Sequence, residues 1–348
     1  MKLSIGIVGL PNVGKSTLFK ILTKQEVNIA NYPFATIDPN VGVVPVPDER
    51  LEKLTKLSNS KKTIPAVVEF YDIAGLVKGA NKGEGLGNQF LSHIREVNAI
   101  VQIIRCFRQS DIVHVEGEIN PLRDFEIIRT ELALKDLETV EKRLNKAEAD
   151  ARTGKKEFIE IYEILKKIKN DIGEGNLSNE TISLIRTNKE YNVLIKELNL
   201  LSVKPQLFLL NGNIEDVSGD LKRKIKELGA VYIIADLSAI KEIPELIQKA
   251  YQILDLISFL TTGEDETRAW TIPKGAKAPE AAGAIHTDFQ KNFIRAEVIN
   301  WEKLMSAGNT STGLGQSPWA IAKQKGWLRL EGKDYVVQDG DVIVIRHG

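Results

Sequence analysis

The residues with the clearest chemical purpose stand near the start of the chain, where Gly9-Leu10-Pro11-Asn12-Val13-Gly14-Lys15-Ser16-Thr17 reads as G-x-x-x-x-G-K-[ST]. Gly9 and Gly14 let the backbone curl so that successive N–H groups face inward. The helix that starts there points its positive end at the same cavity. Lys15 reaches the terminal phosphates of a nucleotide, and the Ser16 hydroxyl supplies a ligand to Mg²⁺. Asn12, Val13, Gly14, Lys15, Ser16 and Thr17 are therefore the expected phosphate cradle. Asp72-Ile73-Ala74-Gly75 adds a D-x-x-G, in which an acid at a strand end holds Mg²⁺ through water and the Gly75 N–H meets the γ-phosphate. Between the two motifs, the Pro- and Asn-rich stretch from Asn31 to Asn40 offers Thr36 as a further hydroxyl for the metal. The expected metal set is Ser16, Thr36 and Asp72, with Lys15 and Gly75 acting on the transferred phosphoryl group.

Two positions depart from the common pattern of such sites. Leu76 stands where Ras-like enzymes place the glutamine that orients the attacking water, and a leucine cannot do that. Asn211-Gly212-Asn213-Ile214 ends an apolar run where GTPases carry N-K-x-D. The acid of that motif pairs with the N1 and N2 hydrogens of guanine, so Ile214 leaves those donors without an acceptor. Such a loss amounts to ~1–3 kcal/mol, enough to erase a guanine preference. Glu215 lies one place too late to substitute. Asn211, Gly212 and Asn213, with Ser238, Ala239 and Ile240 after the next apolar run, are the expected contacts of the base.

These residues need elements that bring them to one place. Ile5–Val8 reads as a strand leading into a helix that ends near Thr23-Lys24, and Val41–Val44 and Ala66–Tyr71 read as two more strands. Val77–Asn88 holds four glycines and reads as a loop, with a helix restarting at Gln89-Phe90-Leu91. Ala99–Arg105 is a buried strand. Asn120-Pro121 opens a helix as cap and first position. Apolar residues then recur at three- and four-residue spacing to about Leu144, and again through Phe158, Ile161, Leu165 and Ile168. That pattern is an antiparallel helical hairpin with its tip at Thr153-Gly154-Lys155. Pro205–Asn211 and Val231–Ala235 return to strands, so the hairpin is an insertion.

After a boundary near Phe259–Gly263, the strands Ala269–Ile272, Ile294–Ile299, Tyr335–Val337 and Val342–Ile345 alternate with short helices around the turn Gln338-Asp339-Gly340-Asp341. The expected fold is α/β: a P-loop nucleotidase with a doubly wound, mostly parallel sheet, an inserted helical hairpin and a small α+β module. The expected divisions are 1–118 and 202–260 for the nucleotide domain, 119–201 for the insertion and 261–348 for the module. Lys274, Lys277, Lys291 and Arg295 form a candidate basic face beside Phe289 and Phe293, although solvated lysines are the commoner origin of such a cluster.

Composition sets outer bounds. The chain has 348 residues, equal numbers of Lys+Arg and Asp+Glu (47 each) and 43% hydrophobic content, as expected of a globular protein of two or three domains. Zero net charge argues against a strongly basic nucleic-acid protein, while leaving room for a local basic face. The single Cys106 excludes a disulfide framework and fits a reducing compartment. No secretion signal and no apolar run approaching ~18 residues is visible, so the cytoplasm is the default expectation.

Taken together, the phosphate loop, Asn31-Tyr32-Pro33-Phe34-Ala35-Thr36-Ile37, Asp72–Ala80, Gly83-Glu84-Gly85-Leu86-Gly87-Asn88 and Ala281–Phe289 resemble the YchF, or Obg-like ATPase, family. The resemblance runs from end to end. It implies a P-loop domain interrupted by a coiled-coil arm and followed by a TGS domain of β-grasp type. It implies a cytoplasmic, slowly hydrolysing ATPase that prefers ATP to GTP and associates with the ribosome. RNA contact through the arm and the TGS domain is a further implication. The family is grouped with nucleotidases whose glutamine is replaced by a hydrophobic residue, which Leu76 matches, and it implicates a histidine before the arm, which matches His114. A neutral imidazole there can orient a water. Asn12 occupies the position that helps hold K⁺ in potassium-stimulated relatives. The departure is at the base loop, where the family shows N-x-x-E and this chain has Asn211-Gly212-Asn213-Ile214. A GTPase with an irregular base loop, or a nucleotide-gated ribosome- or RNA-binding protein that barely hydrolyses, are the alternatives.

Overall fold

The computed structural model describes residues 3–24, 32, 38–73, 85–108, 118–175, 181, 184, 187–308 and 317–348. Thr36, Gly75, Leu76 and His114 lie outside the described residues. Contacts divide the chain into two compact units, one taking residues 1–24, 36–42 and 69–243, the other 25–35, 43–68 and 244–348.

The first unit is built on a sheet. The strands of that sheet are β1 (Ser4–Val8), β2 (Val41–Pro45), β4 (Val67–Asp72), β5 (Ala99–Arg105), β6 (Gln206–Asn211) and β7 (Val231–Ala235), in the order β2-β4-β1-β5-β6-β7, with residues 43–45 of β2 and 67–68 of β4 counted in the other unit. β3 (Lys62–Ile64) belongs to the second unit. Every residue of β1 and of β5 is buried, the continuous burial of strands covered on both faces. β1 pairs in parallel with β4 and β5, and β6 pairs in parallel with β5 and β7. Because these strands share one direction, Val8, Asp72, Arg105, Asn211 and Ala235 all end on the same rim. That rim is where open α/β sheets bind ligands.

Helices α1 (Lys15–Leu22) and α3 (Gly85–Glu96) follow β1 and β4. α3 starts four residues earlier than the sequence suggests, inside the glycine run. Glycine costs ~1 kcal/mol against alanine in a helix, and burial of Phe90, Leu91 and Ile94 outweighs it. Among the described residues, the insertion opens with α4 (Pro121–Ala151) and α5 (Lys156–Gly173), joined by the expected tip with Gly154 at φ 79°. Asn120 caps α4 by accepting from the Arg123 N–H, with Pro121 in the first turn. α6 (Lys189–Leu198) turns the hairpin into a three-helix core: its Leu194 and Leu198 pack with Val140, Ala147, Leu165 and Ile168. Asp136, fully buried in α4, accepts from the Leu201 and Ser202 N–H groups at 2.8 Å each, fixing the return of the chain towards β6. α7 (Gly219–Glu227) precedes β7.

The second unit contains α2 (Glu49–Ser58), β3 (Lys62–Ile64), α8 (Pro244–Ile253), β8 (Leu256–Thr262), β9 (Glu266–Pro273), α9 (Ala278–Ile285) and α10 (Thr287–Lys291). It continues with β10 (Phe293–Asn300), α11 (Trp301–Gly308), α12 (Pro318–Gln324), β11 (Arg329–Glu331) and β12 (Asp341–His347). Its sheet runs β11-β10-β12-β8-β9-β3. Phe259, Phe293, Ala296, Val298 and Ile343 pack with Ala278, Ala281 and Ala282 of α9.

Four sequence expectations change here. The module begins before Thr261, since Leu256–Leu260 are already strand β8. α2 and β3, inside the expected 1–118 division, belong to the module: β3 pairs in parallel with β9, and the Lys61 N–H donates to the Glu264 carbonyl at 2.9 Å. A three-residue strand carries too little local pattern to be read from sequence, and the pairing with β9 is what defines it. Tyr335–Val337 is not a strand; only a single antiparallel bridge joins Val336 to Lys277. Phe293 is in the core, not on a basic face, while Lys274, Lys277, Lys291 and Arg295 are exposed. Among the described residues, no helix is long and apolar enough to cross a membrane.

Candidate nucleotide-binding site

At the carboxyl rim of the first unit's sheet lies a cavity of about 790 Å³. Asn12, Gly14, Lys15, Ser16 and Thr17 of the loop after β1 line it, as do residues from the loops after β5, β6 and β7. The loop owes its path to two non-helical residues, Asn12 at φ 62° and Gly14 at φ 110°. Gly14 has no alternative. A Cβ there would lie 2.7 Å from Asn211 Nδ2 and 3.1 Å from Leu237 Cδ1. The Leu18 N–H donates to the Gly14 carbonyl at 2.9 Å and starts α1, whose earlier N–H groups have no partner within the helix. They carry the partial positive charge that suits a phosphate.

Lys15 folds back over its own loop: Nζ donates to the carbonyls of Gly9 and Leu10, 3.0 Å each. Burial lowers its pKa from the ordinary lysine value, and the Asp72 carboxylate opposes that shift. Burial likewise raises the Asp72 carboxyl, with Lys15 opposing. The pair is thus electrostatically coupled in a partly desolvated corner. Asp72 does not line the cavity; it closes β4, and its N–H donates to the Asn40 carbonyl at 2.9 Å. Ser16 and Thr17 are exposed to the cavity. One hydroxyl and one carboxylate are hard oxygen donors of the sort Mg²⁺ takes when phosphates and water complete its octahedron, so the described residues fit that ion.

Asn211 is buried, and both ends of its amide are engaged. Nδ2 donates to the Val13 carbonyl at 2.9 Å, and Oδ1 accepts from the Leu237 N–H at 3.1 Å. It braces the phosphate loop against the loop after β7. Gly212 is needed at φ 154°, because a Cβ would stand 2.9 Å from the Phe107 nitrogen. Val13 is a buried plug. Gly212, Val13, Ala239 and Ile240 do not line the cavity, whereas Asn213 and Ser238 do. Ile214 is 67% exposed and also stays out of the lining. It opens a short 3-10 turn, Ile214–Asp216, that swings Asp216 to the cavity instead.

Phe107, Arg108, Asp216, Asp236 and Leu237 line the cavity without having been expected. Phe107 is held from behind by the buried Arg105, whose guanidinium carbon lies 4.5 Å from the ring centroid. Asp236 Oδ1 accepts from the Ser238 N–H at 2.8 Å and from its hydroxyl at 2.6 Å, and these bonds hold its carboxyl below the usual range. The only signal for these residues in sequence is their position one to five places after a strand end.

A parallel sheet whose first strand turns through G-x-x-x-x-G-K-S into a helix, with a cavity on its carboxyl rim, defines a P-loop nucleotidase. The family model YchF-GTPase_C, described as "Protein of unknown function (DUF933)", matches residues 256–348, and MMR_HSR1, described as "50S ribosome-binding GTPase", matches residues 4–143. The chain belongs to the YchF family. It is 46% identical to a protein of Bacillus subtilis (strain 168) named "Ribosome-binding ATPase YchF", over 99% of each chain. A protein of the same name from Escherichia coli O157:H7 is 41% identical over 99% of this chain and 98% of that one. The solved structure described as "Structure of the Schizosaccharomyces pombe YchF GTPase" matches with a TM-score of 0.78 at 37% identity, over 99% of this chain and 98% of that one.

Proposed function

We propose that the chain binds Mg·ATP in the rim cavity, hydrolyses it slowly, and uses the nucleotide state to control association with the ribosome in the cytoplasm. The observation that carries this reading is the posture of Lys15, whose ammonium is stored on two carbonyls of its own loop beside the free N–H groups of α1. A cation held there, partly desolvated, has no evident use except to meet an anion of high charge.

In this reading Lys15 and the Gly14–Thr17 N–H groups bind the β- and γ-phosphates, and Ser16, Thr36 and Asp72 hold Mg²⁺. When bound, the ion would neutralise charge on the phosphates. The Gly75 N–H meets the γ-phosphate, His114 orients the attacking water in place of the glutamine that Leu76 displaces, and Asn12 helps hold K⁺. The adenine edge is read by the loops that carry Asn213 and Ser238. The names of the relatives support ATP and the ribosome as substrate and partner. RNA contact through the helical insertion and the second unit belongs to the same proposal.

Phosphate release with and without K⁺ and ribosomes, against a Lys15→Ala control, tests the reading. Release above the control is expected, and tighter binding of ATP than of GTP. Turnover no greater than that of the control under every condition would leave a binding protein. In His114→Ala we expect turnover to fall at least tenfold with ATP affinity unchanged.

A further inference from the structure

Several donors along the loops after β6 and β7 are already spent. Asn211 Nδ2 donates to Val13 and the Leu237 N–H to Asn211 Oδ1. The Ser238 N–H and hydroxyl both go to Asp236. Arg108 and the Asn213 amide remain as donors on the lining, and the acceptor held in a set orientation is Asp216. Asp216 is half-buried, and its orientation is set twice: its N–H donates to the Asn213 carbonyl at 3.1 Å, and its Oδ2 accepts from the Asn213 N–H at 3.0 Å. A Cβ on Gly212 would lie 3.3 Å from that Oδ2, so the carboxylate sits tight against the bare backbone of the strand end. Oδ1 has no hydrogen-bond partner among the described residues.

We infer that Asp216 determines base choice, its Oδ1 accepting from the exocyclic 6-amino group of adenine. This rests on the reading of the cavity as a purine nucleotide site. Guanine reading by a carboxylate uses both oxygens, one for the N1 hydrogen and one for the 2-amino group, and here Oδ2 already accepts from the Asn213 N–H, which turns part of its capacity away from the base. A single free oxygen suits a single amino group. A 6-oxo group in the place of that amino group would set its oxygen against the carboxylate oxygen, two acceptors face to face. The residue was out of reach of the N-x-x-D spacing rule because the 3-10 turn carries the acid from the fourth position of the loop to the sixth, with Ile214 rotated out to solvent.

The test compares dissociation constants of the full chain for Mg·ATP, Mg·ITP and the triphosphate of purine riboside, which lacks any 6-substituent. In the wild type, deleting the amino group is expected to weaken binding about tenfold or more, and ITP to bind more weakly still. Asp216→Asn keeps an oxygen for the Asn213 N–H and presents an amide N–H₂ to the base. It should therefore reverse the order and prefer ITP, a sign change that general loosening of the loop cannot mimic. Asp236→Asn should keep the wild-type order. Equal wild-type affinity for the three nucleotides, an ATP/ITP ratio unchanged in Asp216→Asn, or a reversal in Asp236→Asn would each overturn the assignment while leaving the nucleotide site intact. A wild type that retains no purine triphosphate would overturn the site along with it.

Discussion

Asn211 donates from Nδ2 to the carbonyl of Val13 at 2.9 Å, joining positions 198 apart in sequence, and the same side chain accepts from the Leu237 N–H. The whole length of the helical insertion lies between these partners. Asn211→Ala would strand a buried carbonyl and a buried N–H, at ~1–3 kcal/mol each. ATP affinity should fall at least tenfold by calorimetry, with α1 N–H groups exchanging faster. An unchanged affinity would mean that the phosphate loop holds its shape without the brace.

Lys15 gives a pH dependence with a definite sign. Its folded pKa lies below the ordinary lysine value, chiefly through burial. Between the two values the unfolded chain holds a proton that the free native protein has released, so ligand-free stability rises with pH across that window. A triphosphate raises the lysine pKa again. In the window between the lowered value and the ordinary lysine value, binding should then take up a proton, and affinity should decline as pH rises. Calorimetry in two buffers of different ionisation enthalpy measures the uptake, and Lys15→Met should abolish it. No uptake in the wild type would mean that the ammonium is fully charged before nucleotide arrives.

Asp136 ties the insertion to the chain that re-enters the sheet. Its carboxylate accepts from the Leu201 N–H, the Ser202 N–H and, at 2.6 Å, the Ser202 hydroxyl. Asp136→Ala is expected to lower stability by ~2–4 kcal/mol in urea titrations. Burial raises the carboxyl pKa against those bonds. A raised folded pKa gives stability that is full below the unfolded value and is lost as pH rises through the folded one. The deficit of the variant should therefore narrow from about pH 4 towards neutrality. A deficit that widens would show the ionised form to be the preferred guest.

In the second unit, Arg50 is gripped by Asp48 at 2.8 Å and by Asp339 at 2.7 Å, and Asp339 also accepts from the Ser258 N–H at 2.9 Å. This ties α2 to the turn before β12. Asp339→Ala should accelerate amide exchange in α2 and at Ser258 by a loss of ~1–3 kcal/mol. Exchange unchanged in α2 would place its anchorage elsewhere, in the β3–β9 pairing.

Lys277 and Lys291 are exposed, and Lys277 already pairs with Asp334 at 2.7 Å. Reversing both charges should weaken ribosome co-sedimentation several-fold at fixed salt and flatten its salt dependence, with ATP turnover unaltered. Identical sedimentation would make them ordinary surface lysines.

By itself the sequence determined the parts whose chemistry is local. The glycine–lysine loop, the helix cap at Asn120-Pro121, the hairpin tip at Gly154 and the apolar strands ending in Asp72 and Asn211 follow from short-range sterics and periodicity, and the structure has each of them. Tertiary structure decided whatever depended on partners far along the chain. Lys62–Ile64 carries no reading from the sequence alone, and the free edge of β9 makes it a strand. The base loop is the sharper case: spacing counted Ile214 as the base-facing residue, but a 3-10 turn advances the chain differently from an extended one and delivers Asp216. Residue type and order are written in the sequence. Which side chain a loop turns inward depends on the backbone hydrogen bonds it makes, and those are made only when the strands have assembled.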